Sequence, residues 1–185
     1  MSEFSSFYMQ VHIEKDQANA FFSQPCKNLS DYSDWQQWFL EEQRIYGDPI
    51  QFLETYGYRF SGPAGAQMKK MAAHTSYDEE NKLLIMDNIN IGQSFEVIMQ
   101  YLIVFRGIAA YALPDTQENF LVVYPYWWGD RDKVNHYADA YIEFKEGHSI
   151  LESTLDSRNM EIATAYYDKN GEAFAEEFYN KYGSF

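Results

Sequence analysis

From Phe7 to Glu14 the side chains alternate strictly: Phe7, Met9, Val11 and Ile13 fall on one side, and Tyr8, Gln10, His12 and Glu14 on the other. A period of two is a β-strand with one face on a core, and it predicts solvent for the polar face, His12 included. The period then lengthens. Asp16 opens a short helix to Phe22 with Ala18, Phe21 and Phe22 inward, and Pro25 ends it. Ser33 and Gln36 form a capping box ahead of a stripe at helical spacing (Trp35, Trp38, Phe39, Ile45 and Tyr46, with Glu42 near its edge), and Gly47 is the stop. Asp48-Pro49 restarts a helix that carries Ile50, Leu53 and Tyr56 to Gly57. A short strand (58–60), a loop (61–65), a helix over 66–74 and a polar connection (77–82) follow. Leu83–Met86 then reads as a short buried strand that turns out at Asp87-Asn88.

The most apolar stretch runs from Ser94 to Trp128. Phe95, Ile98, Met99, Leu102 and Phe105 share one helical face, which Val97, Tyr101 and Val104 widen. A helix apolar nearly all round is buried on several sides. Beyond Gly107, segments 108–113 and 120–126 predict a β-hairpin about the polar connection 114–119. Residues 137–145 alternate, with Ala138, Ala140, Ile142 and Phe144 opposite Tyr137, Asp139, Tyr141, Glu143 and Lys145, and Gly147 turns the chain. Segment 158–167 reads as a further strand, 168–171 as a turn, and the rest as a helix with Phe174, Phe178 and Tyr182 in register. This order predicts an α+β fold: an antiparallel sheet of about five strands with helices packed mainly on one face. One domain is expected over 1–185, with a helical part at 15–80 and a β-rich part at 83–185.

Composition sharpens this picture in two ways. The chain has 16 Tyr, 14 Phe and 4 Trp in 185 residues. Tyrosine joins an apolar body to a polar tip, which suits half-buried sites and interfaces. The formal net charge is −14, from 14 basic and 28 acidic residues. Such a field repels nucleic acid and anionic membrane and attracts basic partners. Cys26 is the sole cysteine, so no intrachain disulfide forms, and no patterned base accompanies it. There is no basic segment followed by an apolar one at the N-terminus, and Val97–Leu113 is broken by Gln100, Arg106 and Gly107. The expectation is a cytoplasmic protein with no signal peptide and no membrane span.

The sequence carries no recognisable catalytic pattern. His12, His74, His136 and His148 fall in no metal-binding spacing, the 61–65 loop lacks a phosphate-binding pattern, and Asp78-Glu79-Glu80 lacks an EF-hand's spacing. The expectation is therefore no enzyme, no cofactor and no metal. Tyr124, Tyr126, Trp127 and Trp128 cluster beside Asp130, Asp132, Asp139 and Glu143. Alternation cannot place both adjacent tryptophans in one core, so this rim is the candidate surface for a basic protein partner. In size, acidity, aromatic richness, single cysteine and α+β order, the chain resembles small cytosolic immunity proteins of bacterial toxin systems (polymorphic, contact-dependent or type VI). That resemblance implies stoichiometric inhibition of a cognate toxin by direct binding, and it assigns no functional residues. Two other readings stay open: an acidic nucleic-acid mimic that inhibits a nucleic-acid enzyme, and a small-molecule-binding protein or enzyme whose site is scattered through the chain. Direct nucleic-acid binding is not expected, since Lys69-Lys70 is the only basic pair.

Overall fold

The computed structural model describes residues 4–35, 62–72, 74–92, 95–114, 116, 118–125, 140–152 and 154–182. In chain order these form β1 (Phe4–His12), α1 (Lys15–Ser23), a 3-10 turn (Leu29–Asp31), α2 (Ala64–Met71), β2 (His74–Asp78) and β3 (Leu83–Gly92). After these come α3 (Phe95–Arg106), a second 3-10 turn (Gly107–Tyr111), β4 (Phe120–Pro125), β5 (Ala140–Lys145), β6 (His148–Glu152) and α4 (Ser157–Tyr182). The strands make one antiparallel sheet in the order β2-β3-β1-β4-β5-β6. The expected α+β architecture with a single antiparallel sheet is what forms, with six strands among the described residues where about five were expected.

β1 lies inside the sheet between β3 and β4, so Met9 pairs with both Met86 and Leu121. Its alternation is obeyed: Phe7, Met9, Val11 and Ile13 are fully buried. They meet α3, whose residues Ile98, Met99 and 101–105 are all buried, and the Phe105 ring sits 4.6 Å from that of Phe7. The opposite face of β1 is not solvated, because Tyr8 and Gln10 are buried as well. Tyr8, Ile89, Phe120, Val122 and Tyr141 form a second core with Met160, Ala163 and Tyr167 of α4. His12 is half-buried, and its ring and backbone N–H both contact Asn119 Oδ1, at 3.1 and 2.7 Å.

Several expectations are corrected. Segment 158–167 belongs to the helix α4. Met160, Ala163 and Tyr167 recur at helical spacing, and Asp156 Oδ1 caps the start by accepting from Arg158 N (2.8 Å) and Asn159 N (3.3 Å). Gly171, expected in a turn, is buried within that helix. Residues 107–111 continue α3 as a 3-10 turn instead of opening a hairpin, and β4 pairs with β1 and β5. Gly107 serves packing here, for a Cβ at that position would stand 3.2 Å from the Phe21 ring. β3 runs through Asp87-Asn88 without turning, and the 66–74 helix spans Ala64–Met71, leaving His74 to open β2. The expected helices over 33–46 and 48–57 and the strand at 58–60 lie, beyond Trp35, outside the described residues. The β5–β6 hairpin closes on Glu146 (φ 51°) and Gly147 (φ 78°). Positive φ at both central residues is the two-residue turn whose twist matches paired strands. Among the described residues, no helix is long and apolar enough to cross a membrane.

Candidate functional site

Of the aromatic-acidic rim expected between residues 124 and 143, Tyr124 lies in β4, opposite Ser6 of β1. Tyr126, Trp127, Trp128, Asp130, Asp132 and Asp139 lie outside the described residues. Glu143 is described, and its expected place on an outer face is corrected: it is 9% exposed on β5, beneath α4. Tyr141 donates to Glu143 Oε1 at 2.7 Å, Asn159 Nδ2 donates to the Tyr141 hydroxyl at 2.8 Å, and Lys145 pairs with the other Glu143 oxygen. Burial lifts the Tyr141 phenol to about 12. Period-two reading placed Tyr141 and Glu143 on the polar side correctly. It could not foresee that they satisfy each other under a helix.

A second polar group joins the same helix to the sheet's other half. Asp87, on β3, is fully buried and accepts from the Tyr166 hydroxyl at 2.6 Å and contacts His74 Nδ1 at 2.9 Å. Desolvation raises its carboxyl above the ordinary 3.8, against the pull of those two hydrogen bonds. The other nitrogen of His74 meets Glu177 of α4 at 3.2 Å, and its ring stacks on Phe174 at 3.9 Å. An Asp–His pair can orient a general base. Here the outer nitrogen meets a carboxylate rather than a nucleophile, so what the arrangement does is fasten α4 to β2 and β3.

The third group lies on the opposite face, beside β6, the last of the described strands in the sheet order. Arg106 ends α3 and is 1% exposed. Its Nη2 donates to Asp34 Oδ2 at 2.6 Å and to the Ser149 carbonyl at 2.8 Å, and its Nε donates to Ser149 Oγ at 2.9 Å. The same Asp34 oxygen accepts from Leu151 N at 2.9 Å. Ser149 and Leu151 alternate with the residues that face β5, so these backbone groups point away from the sheet. The ion pair thus satisfies an edge that would otherwise offer itself to another strand. The Tyr32 and Trp35 rings lie 4.2 and 4.6 Å from the guanidinium carbon. A cavity of about 320 Å³ adjoins the pair, lined among others by Lys27, Tyr32, Asp34, Arg106, His148 and Ser149. Among the described residues, Arg106 Nη1, Asp34 Oδ1 and the Tyr32 hydroxyl are buried without a hydrogen-bond partner. Read along the chain, Arg106 merely interrupts an apolar run. The available signal was that an arginine inside a wholly buried helix must be paired.

On the outer side of α4, Glu161, Asp168, Glu172 and Glu176 are exposed at helical spacing, and the exposed Tyr179 continues the row. Among the described residues, no group of three or more His, Cys, Asp or Glu side chains is placed to hold a metal ion. Comparison with protein-family models, curated proteins and solved structures finds no match to this chain.

Proposed function

We propose that this chain is a protein-binding inhibitor of the immunity type, a cytoplasmic protein that neutralises a cognate bacterial toxin by docking on a basic surface of it. The observation that carries the reading is the outer row of α4, where Glu161, Asp168, Glu172 and Glu176 face solvent ahead of an exposed tyrosine in a chain of net charge −14. Carboxylates arrayed beside an aromatic anchor suit capture of a cationic protein: the charges speed encounter and the ring supplies buried area. Tyr124, Tyr126, Trp127, Trp128, Asp130, Asp132 and Asp139 remain in the proposed docking surface, and Glu143 leaves it.

The test is titration of the purified chain against the toxin-like protein encoded beside it, with cell survival as a second readout. The expected result is stoichiometric binding that weakens as salt rises, weakens further in the Glu172→Lys/Glu176→Lys variant, and protects cells. No binding together with no protection would remove the reading. Competition by duplex DNA for the same toxin surface would move it to nucleic-acid mimicry.

A further inference from the structure

The cavity beside β6 carries an inference independent of any protein partner. Guanidinium and carboxylate groups commonly meet at two points. Arg106 and Asp34 meet at one, because the shared oxygen Asp34 Oδ2 serves both Arg106 Nη2 and Leu151 N. Arg106 Nη1 and Asp34 Oδ1 are left buried and unmatched, with the Tyr32 hydroxyl in the same wall. Protein interiors rarely leave such atoms unmet, since each one forfeits the hydrogen bond it had in water. An unmet donor and an unmet acceptor are thus sealed from solvent on two residues that line the cavity. Lys27 and Arg106 are balanced there by Asp31 and Asp34, so net charge favours neither an anion nor a cation.

The geometry points to a binding site for a small neutral molecule with an amide-type edge, a carbonyl oxygen next to an N–H, as in a lactam heterocycle or a primary carboxamide. The ligand's carbonyl accepts from Arg106 Nη1 and its N–H donates to Asp34 Oδ1. A cavity of about 320 Å³ has ample room for a ligand built on a single six-membered ring. The polar atoms lie below the surface under the half-buried Tyr32 ring, 4.2 Å above the guanidinium, so entry requires that ring to turn aside.

The experiment titrates uracil and nicotinamide against the intact chain by calorimetry and ligand-observed NMR, alongside 1,3-dimethyluracil and N,N-dimethylnicotinamide. The methylated probes keep the ring and the carbonyl and lose the N–H. Asp34→Asn is the matched protein variant: its amide oxygen can still serve Arg106 and Leu151, while a donor replaces the acceptor Oδ1. The inference expects at least one unmethylated probe to bind, with affinity at least tenfold lower for its methylated analogue and for the variant. Should Asp34→Asn fail to fold, the methylated pair on the unaltered chain decides alone. Binding of neither unmethylated probe, or equal binding of methylated and unmethylated probes, overturns the site and leaves water as its occupant.

Discussion

The two faces of the sheet are built on different chemistry. On the first, Phe7, Met9, Val11, Leu121, Val123 and Ile142 meet α3 through apolar contact, a non-directional stabilisation that scales with buried area. On the second, tyrosines meet α4, and each phenol has a definite destination. Tyr8 donates to Gln10 Oε1 (2.9 Å), Tyr141 to Glu143 (2.7 Å), Tyr166 to Asp87 (2.6 Å) and Tyr167 to the Phe7 carbonyl (2.6 Å). An apolar surface holds a helix against the sheet but accepts small slides. A buried network of directed bonds is favourable only when every member is met, so it selects one register of α4 on the strands. The aromatic richness of the chain thus serves two purposes, bulk on one side and addressable polar tips on the other.

The comparison breaks most visibly on the first face. Phe105→Ala empties a fully buried position against Phe7 and Tyr101, and unfolding by denaturant should show a loss of about 3–5 kcal/mol. On the second face, Asp87→Ala strands the Tyr166 hydroxyl and His74 together and should cost about 2 kcal/mol. Hydrogen exchange should then accelerate first in the half of α4 that contains Tyr166 and Phe174. Tyr167→Phe keeps the ring and removes the bond to the Phe7 carbonyl, for an expected loss of about 1 kcal/mol in the same denaturation assay.

A further effect is a pH dependence carried by the buried phenols, of which Tyr141 on the α4 face is one. Burial raises the Tyr141 phenol in the folded chain to about 12, above its ordinary 10. Its contribution is therefore intact below pH 10 and is lost as pH climbs through about 12, because the unfolded chain releases that proton earlier. Tyr141→Phe should make the alkaline limb of the stability curve shallower.

How far the fold was legible follows the same division. The first face could be read directly: the alternation of β1 and the all-round apolar pattern of α3 each name the core they enter, and both elements stand where the pattern puts them. The second face was read as solvent because Tyr8, Gln10, Tyr141 and Glu143 are polar, and periodicity reports which side a residue takes, not what covers that side. The covering element was hidden as well. Met160, Ile162 and Tyr166 fall on even positions and mimic a strand, whereas the buried set Met160, Ala163 and Tyr167 is helical and depends on a small alanine that carries little hydrophobic signal. The Arg106–Asp34 pair joins residues 72 positions apart, a distance that no local pattern spans.

The central claim is that α4 seals the tyrosine face in solution. Nitration of native protein by tetranitromethane, with each modified tyrosine located by mass spectrometry, measures this directly. Tyr179, 57% exposed, should be modified readily, while Tyr8, Tyr141 and Tyr167, each 2% exposed or less, should be protected until the chain unfolds. Modification of Tyr141 and Tyr167 at a rate comparable to Tyr179 in the folded protein would contradict it.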